Sequence, residues 1–247
     1  MSTAPASEQR RLLEVQALDT RLDQLAHRRR TLDVLVRVTE LEERTAAIAT
    51  ELVTARTAHS DVRRELAKAE LDVEQVRTRA QRNQARLDAG QGTAKDMQAL
   101  THELEALARR QGELEDVELE VMERLEAHDA DLTELEARAR NAAGDHEAAL
   151  AERDAAFAEI DAEASQVRSA RDAEAAQVSE SLLALYERLR TQHGGVGAAL
   201  LRGTRCEGCR LDLNAGDVAV IRAAAEDAVV RCEECGRILV RTGPGQD

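Results

Sequence analysis

The chain has no tryptophan, one phenylalanine and one tyrosine in 247 residues. So few large side chains cannot fill the compact core that a globular chain of this length would build. Proline occurs twice and glycine thirteen times, which leaves little to interrupt helices. Lysine is confined to Lys68 and Lys95, so the positive charge is almost all arginine. No uncharged apolar run approaches the length of a membrane span. Met1-Ser-Thr-Ala-Pro-Ala-Ser7 has no apolar stretch of the kind found in a signal peptide. These absences predict a protein of the reducing cytoplasm with no membrane association, where four cysteines serve a metal better than disulfides.

What remains is dominated by Ala, Glu, Arg and Leu, the composition of long helices and coiled coils. From Glu8 onward Val15, Leu18, Leu22, Leu25, Leu32 and Val36 fit one a/d series, with Arg29 as an interruption. The frame shifts near Leu41, read as a stutter within one helix, and continues as Ile48, Leu52, Ala55, Val62, Leu66, Ala69, Val73, Val76 and Leu87. His59 and Asn83 fall on this seam. The helix breaks at Ala89-Gly90-Gln91-Gly92-Thr93, where Thr93 can cap a second helix. A new frame then runs through Met97, Leu100, Leu104, Leu107, Leu114, Val121, Leu125, Leu132 and Leu135. A short connection between two long amphipathic helices predicts an antiparallel hairpin folded about Gln91. That register sets Arg56, Arg63, Arg64 and Lys68 opposite the acid-rich run 113–136. At 1.5 Å per residue the first arm would extend about 120 Å as a rod. A parallel dimer with a joint at the glycines is the alternative.

The second arm becomes alanine-rich from Ala137, with Leu150, Phe157, Ile160 and Val167 on the seam and Gly144 as a soft spot. Val178, Leu182, Leu185, Tyr186 and Leu189 then form a stripe that outruns the first arm and must pack elsewhere, the segment beyond being the nearest candidate. His193-Gly-Gly-Val-Gly197 ends the helix. Beyond it, 196–201 reads as a strand, 215–224 as a short helix, and 237–241 as a strand. The fold class is therefore mainly α: a long antiparallel coiled-coil helical hairpin over 8–193, with its turn near 89–93, followed by a small C-terminal β zinc ribbon over 194–242. Residues 243–247 read as a frayed tail.

The four cysteines form two matched C-x-x-C pairs, Cys206/Cys209 and Cys232/Cys235, separated by twenty-two residues. Zn²⁺ takes four soft ligands in a tetrahedron, and two such turns close the shell with no open position, the mark of a structural site. Two redox dithiols or two disulfides are the alternatives; redox motifs come singly in a βαβ context that this chain lacks.

A helical hairpin followed by these knuckles resembles the bacterial C4-type zinc ribbon family with an N-terminal coiled-coil hairpin. The resemblance rests on Lys95-Asp-Met-Gln-Ala-Leu100 after the turn, Leu185-Tyr-Glu-Arg-Leu189 before the ribbon, and Cys232-Glu-Glu-Cys-Gly-Arg-Ile-Leu239. It implies that the four cysteines are zinc ligands. Members are described as nucleic-acid-binding proteins, and some resemble chaperones or adaptors that hold an alternative sigma factor, a secretion component or a messenger RNA. This chain departs from the family at Leu211-Asp-Leu-Asn-Ala215, where many members carry a Leu-Pro pair and a basic helix, and at Val240, where many carry an aromatic. No particular partner is carried over.

Net charge is −14, and from Gly194 onward seven Arg face eight Asp or Glu with no aromatic for a base to stack on. The basic candidate for nucleic acid is instead the hairpin tip: Arg77, Arg79, Arg82, Arg86 and Lys95. The histidines are scattered along helices without a nucleophile or a pocket, so no enzyme is expected. The expectation is a non-enzymatic adaptor, monomeric or dimeric through the coiled coil, that presents the ribbon to a protein partner. Leu182, Leu185 and Leu189 are the candidate partner surface, and nucleic acid binding is the alternative.

Overall fold

The computed structural model describes residues 2–90 and 92–241. The expected tail at 243–247, Thr242 at the ribbon's end and Gln91 at the turn lie outside the described residues. The chain forms two compact units, Val36–Leu150 and Met1–Leu35 with Ala151–Asp247.

The first unit is a helical hairpin made by α2 (Asp33–Asp88) from Val36 onward and by α3 (Ala94–Ala175) as far as Leu150. Its antiparallel direction follows from ion pairs whose partners descend in number: Glu51 with Arg138, Arg56 with Glu136, Glu65 with Arg124, and Arg77 with Glu115. Arg64 departs from the expected register and pairs within its own helix, with Asp61. The expected seam is the buried one: Ile48, Val62, Ala69 and Val73 on α2 and Leu100, Leu114, Val121 and Leu135 on α3 are all buried, and Ile48 packs with Leu135. His59 on that seam lies 2.7 Å from Asp129. At the tip Gly90 and Gly92 take φ of 64° and 122°, values that glycine reaches without penalty. Thr93 and Asp96 then cap α3 reciprocally. The Thr93 hydroxyl accepts from the Asp96 N–H at 3.3 Å, and the Asp96 carboxylate accepts from the Thr93 N–H at 2.8 Å.

In the second unit the first arm is not one helix. α1 (Ala6–Arg30) ends in four basic residues, His27 to Arg30, which suit a helix C-terminus but supply no apolar contact to carry it on. The Thr31 N–H and hydroxyl turn back to the His27 carbonyl, and α2 restarts at Asp33. The interruption re-phases the stripe, so Val34 is buried and Val36, expected on the seam, is 62% exposed. Arg29, the other irregularity of this stretch, lies over the Phe157 ring at 3.9 Å and covers it.

The second arm also ends early. α3 stops at Ala175, near where α1 begins, since Arg11 meets Glu174. Residues 176–179 reverse the chain, and α4 (Glu180–Gln192) runs back beside α1 in α1's own direction. The Glu8 carboxylate accepts from the Ser179 N–H at 2.9 Å, and Arg190 reaches Asp23. The stripe that outran its partner is thus covered: Val178, Leu182, Tyr186 and Leu189 are buried with Leu12 and Val15 of α1 and with Ala198 and Ile238.

The chain then forms a small mixed sheet. β1 (Ala198–Arg202) pairs antiparallel with β2 (Arg205–Cys206) and parallel with β4 (Ile238–Arg241), which pairs antiparallel with β3 (Val230–Arg231), giving the order β2-β1-β4-β3. α5 (Ala215–Ala223) is capped by Asn214, whose side chain accepts from the Asp217 N–H at 2.9 Å. Val218 and Ile221 of α5 pack with Ala199, Leu201, Leu213 and Leu239 around Cys206 and Cys232.

Candidate metal centre

Each C-x-x-C turn is built the same way. In the first, the Arg210 N–H donates to the Cys206 carbonyl at 2.7 Å and the Cys206 N–H donates to the Leu211 carbonyl at 3.0 Å. In the second, Gly236 donates to Cys232 at 2.8 Å and Cys232 donates to Arg237 at 2.9 Å. The residue after the second cysteine has to be left-handed in both, with φ of 64° at Arg210 and 72° at Gly236. β2 delivers Cys206 and β3 leads into Cys232, so the sheet sets the two turns face to face. All four Sγ atoms lie within 4.8 Å of one another, with Cys206 to Cys235 and Cys209 to Cys232 both at 4.0 Å. A tetrahedron with Zn–S bonds of about 2.3 Å has edges of about 3.8 Å, whereas a disulfide needs about 2.05 Å. The four thiols fit one Zn²⁺, and they form no disulfide.

The surroundings explain why an ion is wanted there. Burial pushes the Cys206 thiol up and the Cys232 thiol up to about 12. Burial also opposes ionisation of Cys235, but hydrogen bonds from Arg237 lower it to about 7. Thiolates packed this closely repel one another, and a divalent cation removes both the repulsion and the cost of burying them. When bound, the ion supplies a structural cross-link between the two knuckles.

The ribbon is fastened to the helices by a buried polar network. Tyr186, the only tyrosine, is fully buried, and its hydroxyl donates to Asp19 at 2.7 Å. Burial and that carboxylate raise the Tyr186 hydroxyl's pKa. Asp19, 3% exposed, is held by Arg171 at 3.2 Å and faces Arg190 at 3.5 Å. One turn earlier the Gln16 amide donates to the Gly195 carbonyl at 2.8 Å and accepts from the Gly197 N–H at 2.7 Å. Gly197 is the point of closest approach: a Cβ there would lie 2.6 Å from the Tyr186 carbonyl oxygen. A second glycine, Gly208 inside the first knuckle, lies against Arg237 and Ala199, where a Cβ would meet atoms at 2.8 and 2.9 Å. Neither close approach shows in the sequence, where glycines 194–197 read only as a helix end. The signal that was available is Tyr186, a lone hydroxyl on an apolar stripe that needs a partner, and Gln16 and Asp19 one turn apart on α1.

Two family models match the chain, a CT398-like coiled coil hairpin domain over residues 15–194 and a C4-type zinc ribbon domain over residues 205–239. The chain belongs to the CT398-like hairpin family. An uncharacterized protein of Mycobacterium tuberculosis is 41% identical over 239 residues, spanning 96% of this chain and 97% of that one. A solved Mycobacterium smegmatis structure shares 38% identity with a TM-score of 0.85 over 97% of this chain and 100% of its own. The structure of CT398 from Chlamydia trachomatis shares the fold at 18% identity, with a TM-score of 0.67 over 96% of this chain and 98% of that one.

In this CT398-like chain the four cysteines predicted as ligands are brought together, and Leu182, Leu185 and Leu189 also gather, but in a core cluster rather than on a surface. Leu182 and Leu189 are 2% and 1% exposed beneath the chain's own α1 and sheet, so they offer no surface to a partner, and Leu185 is half-buried beside them. The ribbon's share of that covering was expected from the sequence, but the share of α1 was not, because the reversal at 176–179 has no proline or glycine to announce it. At the tip Arg77 is engaged by Glu115 at 3.4 Å and Arg79 by Glu103. Arg82, Arg86 and Lys95 have no ion pair among the described residues, although Arg86 lies near enough to Asp96 to help lower its pKa, chiefly set by the Thr93 hydrogen bonds. No helix among the described residues is long and apolar enough to cross a membrane.

Proposed function

We propose that this chain is a non-enzymatic adaptor of the cytoplasm, presenting a zinc-stiffened ribbon to a protein partner. One observation carries the choice of protein over nucleic acid: the ribbon spends its arginines on itself. Arg222 donates to the Gly203 carbonyl, Arg231 to Gly236, Arg237 to Val196 and His193, and Arg241 to five carbonyls between Ile221 and Ala228. Arg202 pairs with Glu207. Of the seven, Arg205 and Arg210 alone keep no such partner among the described residues, too little to neutralise a run of phosphates. In their place the ribbon exposes Val220 at 71% and Leu211 at 52%, apolar side chains that a partner protein would cover. The second reading, nucleic acid on the hairpin tip, has Arg82, Arg86 and Lys95 in its favour.

The test compares Leu211→Glu with Val220→Glu, and separately Arg82→Glu with Arg86→Glu. Protein recovered by the tagged chain after nuclease treatment, and lost with the first pair only, supports the adaptor. Salt-dependent retention on RNA or DNA, lost with the second pair only, replaces it with the nucleic acid reading.

A further inference from the structure

The residues ahead of α1 are an added strand on the ribbon. The Ala4 N–H donates to the Asp227 carbonyl at 2.7 Å, the Val229 N–H donates to the Ser2 carbonyl at 3.0 Å, and Thr3 stands opposite Ala228 in antiparallel register. Residues 227–229 run directly into β3, the edge strand of the sheet, so residues 2–4 cover the edge of the segment that leads into it. Pro5 comes next, has no N–H to extend the ladder, and starts α1 instead. The buried Gln9 side chain clips the join, donating to the Ala4 carbonyl at 2.8 Å and to the Glu226 carbonyl at 3.2 Å.

This strap is lightly held. Among the described residues two backbone hydrogen bonds and one amide fasten it, Ser2 and Thr3 are exposed, and Ala4 alone inserts a side chain, 4% exposed in the cluster with Leu12, Val15 and Ile238. A strand so attached opens at far lower cost than the core strands. When it opens, the Val229 N–H and the Asp227 carbonyl become a template that any extended chain can satisfy, with specificity set by the one buried side chain. We infer that this edge is a strand-addition site, that residues 2–4 are its built-in competitor, and that its outside occupant is an extended segment of a partner protein carrying a residue no larger than alanine followed by proline. The inference rests on the adaptor reading and names the chemistry of its partner. β3 leads directly into Cys232, so occupancy of the edge also steadies the second knuckle.

The probe is the chain's own strap as a labelled peptide, Ser-Thr-Ala-Pro-Ala, added in trans to zinc-loaded protein lacking residues 1–4 and to the full chain. Binding to the shortened chain about tenfold tighter or more than to the full chain, with protection of the Val229 amide regained and the bound state abolished in a peptide with glutamate in place of the first alanine, is the expected result. The full chain supplies an independent readout if the shortened one does not fold. There the Ala4 and Val229 amides exchange about tenfold or more faster than those of Leu239 and Val240. Absence of peptide binding to a folded, zinc-loaded shortened chain overturns the inference, as does exchange of Val229 only in step with Leu239, which would make the strap a permanent strand. Either failure leaves a partner bound through Leu211 and Val220 untouched.

Discussion

Arg210 holds a left-handed conformation at φ 64° that its counterpart Gly236 holds at 72°. Because a Cβ there costs roughly 1–2 kcal/mol, Arg210→Gly is expected to stabilise the zinc-loaded ribbon by about 1 kcal/mol and Gly236→Ala to destabilise it by a similar amount in denaturant titration. Gly197→Ala is worse, because its Cβ would lie 2.6 Å from a backbone oxygen that cannot swing aside. A loss of about 1–3 kcal/mol is expected, with faster amide exchange over 195–198. Asp19→Ala would leave Arg171 and Arg190, both largely buried, facing one another without their shared anion. The expected cost is about 3–5 kcal/mol by chemical denaturation, and a loss under about 1 kcal/mol would show that the network does not fasten the ribbon. At this scale the metal ligands were readily legible, because C-x-x-C turns are defined by local geometry. The fastening residues stayed hidden because close approach and buried pairing are made between segments far apart in the chain, as with Asp19 and Tyr186.

Among the elements, the α2–α3 hairpin was the most legible, since a heptad seam with flanking charges encodes both the helices and their register. The breaks after Arg30 and Ala175 were not, because neither carries a proline or glycine; they are set by what packs nearby, Phe157 under Arg29 and α1 under α4. Asn83 is the seam's odd member, only 7% exposed, with its Nδ2 unpartnered among the described residues. Asn83→Leu removes that penalty and fills the seam, and is expected to raise hairpin stability by about 1–3 kcal/mol in thermal or chemical unfolding. A destabilised variant would mean that the amide is satisfied by a contact of another kind.

For the molecule as a whole, charge and metal both tie stability to pH. Glu8 is held below its usual 4.5 by Ser179, and Glu136 by Arg56. Carboxylates with depressed values stabilise the fold above about 4.5, and that contribution is lost as pH falls through the lowered values. Acid unfolding followed by circular dichroism is therefore expected to begin below about pH 4.5, and Glu8→Gln is expected to be less stable at neutral pH and to lose less stability as pH falls. Zinc adds a separate dependence, since protons compete for the thiolates and the ion is released as pH falls. The ribbon's share of the fold depends on that ion, because the cluster around Cys206 and Cys232 contains few large aliphatic side chains. The most direct measurement is native mass spectrometry of reduced protein, paired with amide exchange before and after chelation. One Zn²⁺ per chain is predicted, with protection lost after chelation across 198–241 while α2 and α3 stay protected; a folded chain without zinc, or a ribbon whose protection survives chelation, would contradict the account.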